Sequence, residues 1–290
     1  GLGAYFGVFD GHGGVQCADF VAKNLHRRIV GALRGGREAA PDAGPPTQAE
    51  VENALEDGFI QLDKNFLQIA SRQLINAGST AVVALYCGSG PGDLSMYIAN
   101  LGDSRAVLCR GGKAVRLSED HKPSRRDERN RIEKAGGIVA QVQGIWRVTR
   151  EAFTERDRRE RVWLAVSRAF GNVRLKDPNP LVINTPEIRV EPVGEDDLFM
   201  VMCCDGIWDV MSDQEVIDLA GEHWGDPNEA AAAVVRTALQ KGSQDNLTAQ
   251  VIQYAWQSDH AKDMIAKWLE TEAQRKKEVE ELEEDIDMFS

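Results

Sequence analysis

The sequence predicts an α+β fold: mostly antiparallel sheets with helices packed on their outer faces. Three observations lead there. Strand-like runs are joined by tight turns more often than by helical crossovers. Long amphipathic stretches stand before, between and after those strands. Seven apolar residues in a row, Leu198 to Cys204, read as a strand buried on both faces. With 290 residues, 42% of them hydrophobic, the chain is long enough to bury a sizeable core.

Taken in order, the chain starts with an apolar strand, Tyr5 to Phe9, that ends on Asp10. The glycine-rich loop Gly11 to Gly14 follows and carries His12. Ala18, Val21, Ala22, Leu25 and Ile29 recur at helical spacing, predicting a helix from about Val15 to Leu33. Gly35 to Pro46, rich in Gly, Pro and Ala, reads as an exposed connector. Thr47 and Glu50 form a capping-box pattern, and Val51, Leu55, Phe59, Leu62, Phe66 and Ile69 line one face of the helix behind it.

From Ser79 the pattern changes to strands. STAVVALYC is turned at Gly88 to Asp93 and answered by LSMYIANLG. RAVLCRGGKAVRL reads as a hairpin around Gly111 and Gly112. A helix from about Ser124 to Lys134 stops at Gly136, and IVAQV reads as a strand. Thr149 to Arg161 is a charged excursion with five arginines. VWLAVSRAFGN resumes the strand pattern. After the buried run come helices at about Asp213 to His223 and Pro227 to Lys241, then a strand at about Asn246 to Tyr254. From Asp259 the pattern is a polar helix with two short apolar stripes, Met264, Ile265, Trp268 and Leu269, then Val279, Leu282, Ile286 and Phe289. Residues 1–255 thus read as one domain and 256–290 as an acidic helical extension, lying on the surface or fraying in solvent.

A net charge of -12 argues against nucleic acid as a partner. No apolar run is long enough to cross a bilayer, and the N-terminus lacks the basic and apolar regions of a secretion signal. The five cysteines have no zinc-type spacing and four sit in or beside apolar runs, which predicts free thiols in a reducing intracellular compartment, cytoplasm or nucleus.

Four apolar runs end on an aspartate beside a small residue: VFDGHGG at Asp10, ANLGDSRAV at Asp103, MCCDGIWD at Asp205 and Asp209, and KGSQDNLT at Asp245. One such pair is an ordinary turn; four are not. Carboxylates gathered in one cleft repel each other and need counter-charge. No matching cluster of Lys or Arg accompanies them, so a divalent cation is the economical answer. Oxygen donors of this kind suit Mg2+ or Mn2+ rather than zinc.

Seven motifs stand in one order: DGHGG, GSTA, GDSRA, DHKP with a later RI..AGG, LAVSRAFGN, DGIWDVM and GSQDNLT. Together they resemble the metal-dependent protein Ser/Thr phosphatases of the PPM, or type 2C, family, from about Tyr5 to Tyr254. The resemblance implies a four-layer α-β-β-α fold around a central antiparallel β-sandwich. It implies hydrolysis of phosphoserine and phosphothreonine in protein substrates by a binuclear Mg2+/Mn2+ centre with a metal-activated water. By position, Asp10 would bridge two ions and the Gly11 carbonyl would join the second. Asp205 and Asp245 would ligate the first. Asp103, Asp205 and Asp209 match positions that hold a third, weaker ion in some members. His12 matches the proposed general acid, a role suited to a group that titrates near neutral pH and to an alkoxide leaving group.

Three departures from the family pattern stand out. The family usually has a phosphate-gripping Arg and a metal-site Glu upstream of the DGH strand. The sequence begins at Gly1, just before that strand, so we expect a longer parent enzyme and an impaired shorter chain. Asn172 stands where the family commonly has Asp, which puts a supporting contact in question. The arginine-rich excursion is longer than usual and would suit acidic or phosphorylated partners. The competing readings are a pseudophosphatase that binds a partner without catalysis and a metal-dependent hydrolase of small phosphate esters. The retained aspartates oppose the pseudophosphatase; the missing Arg and Glu favour it.

Overall fold

Two sheets, each with its own helices, organise the chain. The structure, a computed structural model, describes residues 2–38, 45–88, 92–151, 161–255 and 259–287. In chain order, β1 (Leu2–Val8) and β2 (Gly11–His12) lead into α1 (Gln16–Glu38) and α2 (Gln48–Gln73). Five strands follow: β3 (Gly78–Ser79), β4 (Ala81–Cys87), β5 (Ser95–Leu101), β6 (Arg105–Arg110) and β7 (Lys113–Arg116). Next come α3 (Arg126–Lys134), β8 (Gly137–Val142), β9 (Ile145–Arg150), β10 (Phe170–Gly171), α4 (Val173–Lys176), β11 (Glu187–Pro192) and β12 (Asp197–Cys203). The chain closes with α5 (Asp205–Trp208), α6 (Asp213–Glu222), α7 (Pro227–Gln240), β13 (Ala249–Gln253) and α8 (Asp259–Asp287).

The chain divides into two compact units, Gly1–Arg105 with Ser118–Pro192, and Ala106–Leu117 with Val193–Ser290. In the first, the sheet order is β1-β4-β5-β11 and every neighbouring pair is antiparallel. All seven residues of β4 are buried, as its unbroken apolar run requires. The apolar stripes of α1 and α2 pack in the same core: Val21, Leu25 and Ile29 from one, Val51, Leu55, Phe59 and Phe66 from the other. The predicted capping box starts α2: Thr47 Oγ1 accepts from the Glu50 amide, and Glu50 Oε2 accepts from the Thr47 amide at 2.7 Å. A second small sheet, β10-β3-β2, is built from two-residue strands too short to show a period.

The second unit has the sheet order β13-β12-β6-β7. β12 is buried along its whole length, as predicted from Leu198 to Cys204. Its core takes in Val216 and Ile217 of α6, Ala230 and Val234 of α7, and Trp268 of α8.

Several predicted bounds change. The first helix runs on to Glu38, past Gly35 and Gly36. VWLAVSRAFGN is not a continuous strand: Leu164 bridges Val148 singly, and only Phe170 and Gly171 join a sheet. Buried side chains at Leu164, Val166, Ala169 and Phe170 explain its apolar pattern without a ladder. Part of the connector (39–44), part of the turn after Cys87 (89–91), the arginine-rich stretch 152–160 and the second stripe of the last helix, Val279 to Phe289, lie outside the residues or side chains described.

Candidate metal and phosphate site

The first unit brings together Asp10, Gly11, His12 and the GDSR turn. Asp10 lies two residues beyond β1, and its carbonyl accepts the Thr80 amide at 2.9 Å. Thr80 Oγ1 is 2.8 Å from Ser104 Oγ, inside the GDSRA motif. One buried threonine of GSTA therefore couples the Asp10 strand end to the Asp103 turn. β3 lies between β2 and β10, pairing His12 with Gly78 and Gly78 with Gly171. Beyond Gly171, Asn172 adopts a left-handed backbone (φ 57°), a conformation asparagine accepts more readily than most residues. Its Oδ1 accepts from His12 Nε2 at 2.9 Å. Asn172 thus offers His12 an amide oxygen as partner. Gly78 makes room for it, since a Cβ there would stand 2.2 Å from Asn172 Oδ1 and 2.3 Å from His12 Nε2. Beneath, the Gly171 amide donates to buried Asp63 at 2.6 Å, and Lys176 pairs with the same carboxylate.

The DHK triplet grips GDSR residue by residue. Asp120 takes both ends of the Arg105 fork at 3.0 and 2.7 Å. His121 is fully buried; its amide donates to the Gly102 carbonyl at 2.9 Å, and its Nδ1 accepts from the Gly102 amide at 3.0 Å. Burial lowers the pKa of His121, so the ring is neutral. Lys122 donates to Asp103 Oδ2. Asp103 thus has a lysine beside it, a single cation rather than a cluster.

Behind this triplet, Glu128 is buried among Arg131, Arg168 and Ser167, from the RI..AGG and LAVSRAFGN motifs. Burial alone would raise its pKa. Hydrogen bonds from Arg168, Arg131 and Ser167 reverse this and hold it at about 2. The folded value lies below the ordinary 4.5, so the carboxylate stabilises the fold fully above pH 4.5 and loses that contribution as pH falls through 2. The shift corresponds to about 3 kcal/mol at neutral pH. Glu128→Gln is therefore expected to melt well below the wild type at neutral pH, with the gap narrowing below pH 4.5 and closing only towards about pH 2. Thermal melts across that range check it; a gap independent of pH would assign the loss to packing.

The second unit brings Asp205, Asp209 and Asp245 to neighbouring backbone. Asp205 opens α5 directly after the buried strand β12, and the Asp209 amide donates to its carbonyl at 2.8 Å. Asp245 lies against the same turn. A Cβ on Gly206 would stand 2.5 Å from the Asn246 carbonyl and 3.2 Å from Asp245 Cβ. Ser243 Oγ donates to the Gly206 carbonyl at 2.7 Å, fixing GSQD on DGIW. The DGIWDVM and GSQDNLT motifs are thus two sides of one packed turn.

The residues expected as donors offer carboxylates and, at Gly11, a backbone carbonyl, hard oxygens that suit Mg2+ or Mn2+ better than softer metals. Among the described residues, no group of three or more His, Cys, Asp or Glu side chains stands in metal-holding geometry. The sequence reading assigned no role to Thr80, Ser104, Lys122 or Gly78, although all four lie inside the quoted motifs. Their signal was small or cationic residues beside apolar runs, which only long-range pairing turns into contacts.

The protein phosphatase 2C family profile matches residues 2–247. A probable protein phosphatase 2C 59 of Arabidopsis thaliana is 39% identical over 249 residues, covering 86% of this chain and 69% of that one. A probable protein phosphatase 2C 45 of Oryza sativa subsp. japonica is 37% identical over 249 residues, covering 86% and 76%. The crystal structure of a serine-threonine phosphatase 2C from Toxoplasma gondii superposes with a TM-score of 0.71 at 27% identity, over 86% of this chain and 84% of that chain. A C. elegans sex determining protein has the same TM-score of 0.71 at 26% identity, over 91% and 58%. The chain belongs to the protein phosphatase 2C family, and is a protein serine/threonine phosphatase of the α+β class with antiparallel sheets.

Proposed function

We propose that this phosphatase hydrolyses phosphoserine and phosphothreonine in proteins with two Mg2+ or Mn2+ ions, and admits a third more weakly. Asp10 and the Gly11 carbonyl, with Asp205 and Asp245, would hold the two ions; Asp103, Asp205 and Asp209 would receive the third. When bound, the ions would supply a water acidic enough to act as nucleophile at neutral pH and would draw charge from the phosphate. The observation that supports the reading is the packing of Asp245 and Asn246 against Gly206, the residue after Asp205, at the end of a buried strand.

The protein's own residues do the rest. His12 gives a proton to the departing serine or threonine oxygen, a poor leaving group as a bare alkoxide. Asn172 holds the imidazole by Nε2, and Gly78 lets the two side chains meet. Thr80 ties the Asp10 strand end to Ser104, so the aspartates of this unit need not reorganise when charge develops. All five cysteines are buried thiols outside any disulfide. That supports an intracellular setting, cytoplasm or nucleus, and leaves no thiol placed to attack phosphate.

The test is phosphate release from a phosphothreonine peptide, with and without Mn2+, by the parent protein and by Asp205→Asn. Release should require Mn2+ and fall by about 100-fold or more in the variant, since one ligand of an essential ion is lost. Equal, metal-independent release by both would end the proposal. A protein that binds the phosphopeptide tightly without turnover would be the scaffold instead.

A further inference from the structure

Asp103 of the proposed site carries a cation on its carboxylate. Its side chain is 3% exposed, and the ammonium of Lys122, 33% exposed, donates to Oδ2. That ammonium is not there by chance of a long surface side chain. Residues 120 and 121 are bolted to Arg105 and Gly102 on either side of Asp103. The backbone of Lys122 is thereby held in register with the carboxylate it serves.

We infer that Lys122 is a built-in counter-ion that closes Asp103 to a divalent cation, and so sets how weakly the third ion binds. The inference rests on the metal-dependent reading above. An ammonium and a hard cation compete for the same carboxylate oxygens, and they repel one another if both approach. The pair also solves a problem that the fold creates. A carboxylate this deeply buried is strongly unfavourable if left alone, so the protein must supply a positive partner whenever no metal is bound. Lysine suits a partner that has to leave. It is a point charge on a flexible four-carbon stem, where arginine would lock two oxygens in a planar fork. Its partial exposure gives the ammonium somewhere to go when an ion arrives.

The experiment counts Mn2+ on the apo protein by titration calorimetry and by electron paramagnetic resonance, with folding checked by circular dichroism. Lys122→Met removes the charge and keeps the stem. Lys122→Gln also removes it and keeps a hydrogen-bond donor, so it stands in if the Met variant fails to fold. Each should bind one ion at least about tenfold more tightly than the weakest site of the wild type, because the competing charge is gone. Lys122→Arg should show no gain. Adding Asp103→Asn to the Met or Gln variant should abolish the gain. The inference is overturned if both neutral variants keep the wild-type count and affinities, or if the gain survives Asp103→Asn. A wild type that binds no Mn2+ at all would instead overturn the metal reading beneath it.

Discussion

Replacing His12 by Ala is expected to lower kcat on a phosphothreonine peptide by about 10²- to 10⁴-fold, the range for losing a positioned general acid. On p-nitrophenyl phosphate the loss should be below about tenfold, because that leaving group departs without a proton. The contrast between substrates is the diagnostic, since it isolates protonation from binding and from ion affinity. The structure adds a second route to the same signature. Gly78→Ala leaves His12 in the sequence but sets a methyl group 2.3 Å from Nε2 and 2.2 Å from its Asn172 partner. The pair must part, and the imidazole loses its fixed orientation. Parallel assays of the two variants on both substrates decide the matter. Losses of equal size on both substrates would make His12 a structural residue.

Truncating Trp268 to Ala should destabilise the second unit by about 3–5 kcal/mol, the range for a large buried aromatic. Trp268 is 7% exposed, although its helix is polar and lies beyond the residues matched by the family profile. Its ring stands 5.8 Å from that of Phe199 on the buried strand β12. Two glycines shape the slot. A Cβ on Gly221 of α6 would come within 1.7 Å of the indole, and one on Gly112 within 2.3 Å. Gly221→Ala alone should therefore also destabilise. In the double variant the two costs should fall short of their sum, as expected for residues in contact. Urea unfolding of the four proteins measures this; a cost for Trp268→Ala below about 1 kcal/mol would show an unanchored helix.

How much of this was legible beforehand varies with range along the chain. The strand from Leu198 to Cys204 announced itself, because burial on both faces leaves no position for a polar residue. The Thr47–Glu50 box was equally plain, since both partners lie within one turn. The stripe of Met264, Ile265, Trp268 and Leu269 was visible too, but not its depth: a solvated helix and a docked one share the same period. The strand expectation over VWLAVSRAFGN failed for a similar reason. Its apolar residues are buried singly, and burial without a ladder leaves a strand-like alternation.

The aspartates, His12 and the order of the seven motifs were fixed by the sequence alone, because donor chemistry belongs to residue types and survives any arrangement. Which of these residues support one another was decided only by the fold. Thr80 reaches Ser104 across 24 positions, His12 reaches Asn172 across 160, and Lys122 returns to Asp103 across 19. Contacts at such separations leave no local period, because they come from strand pairing and turn geometry rather than from neighbours in the chain.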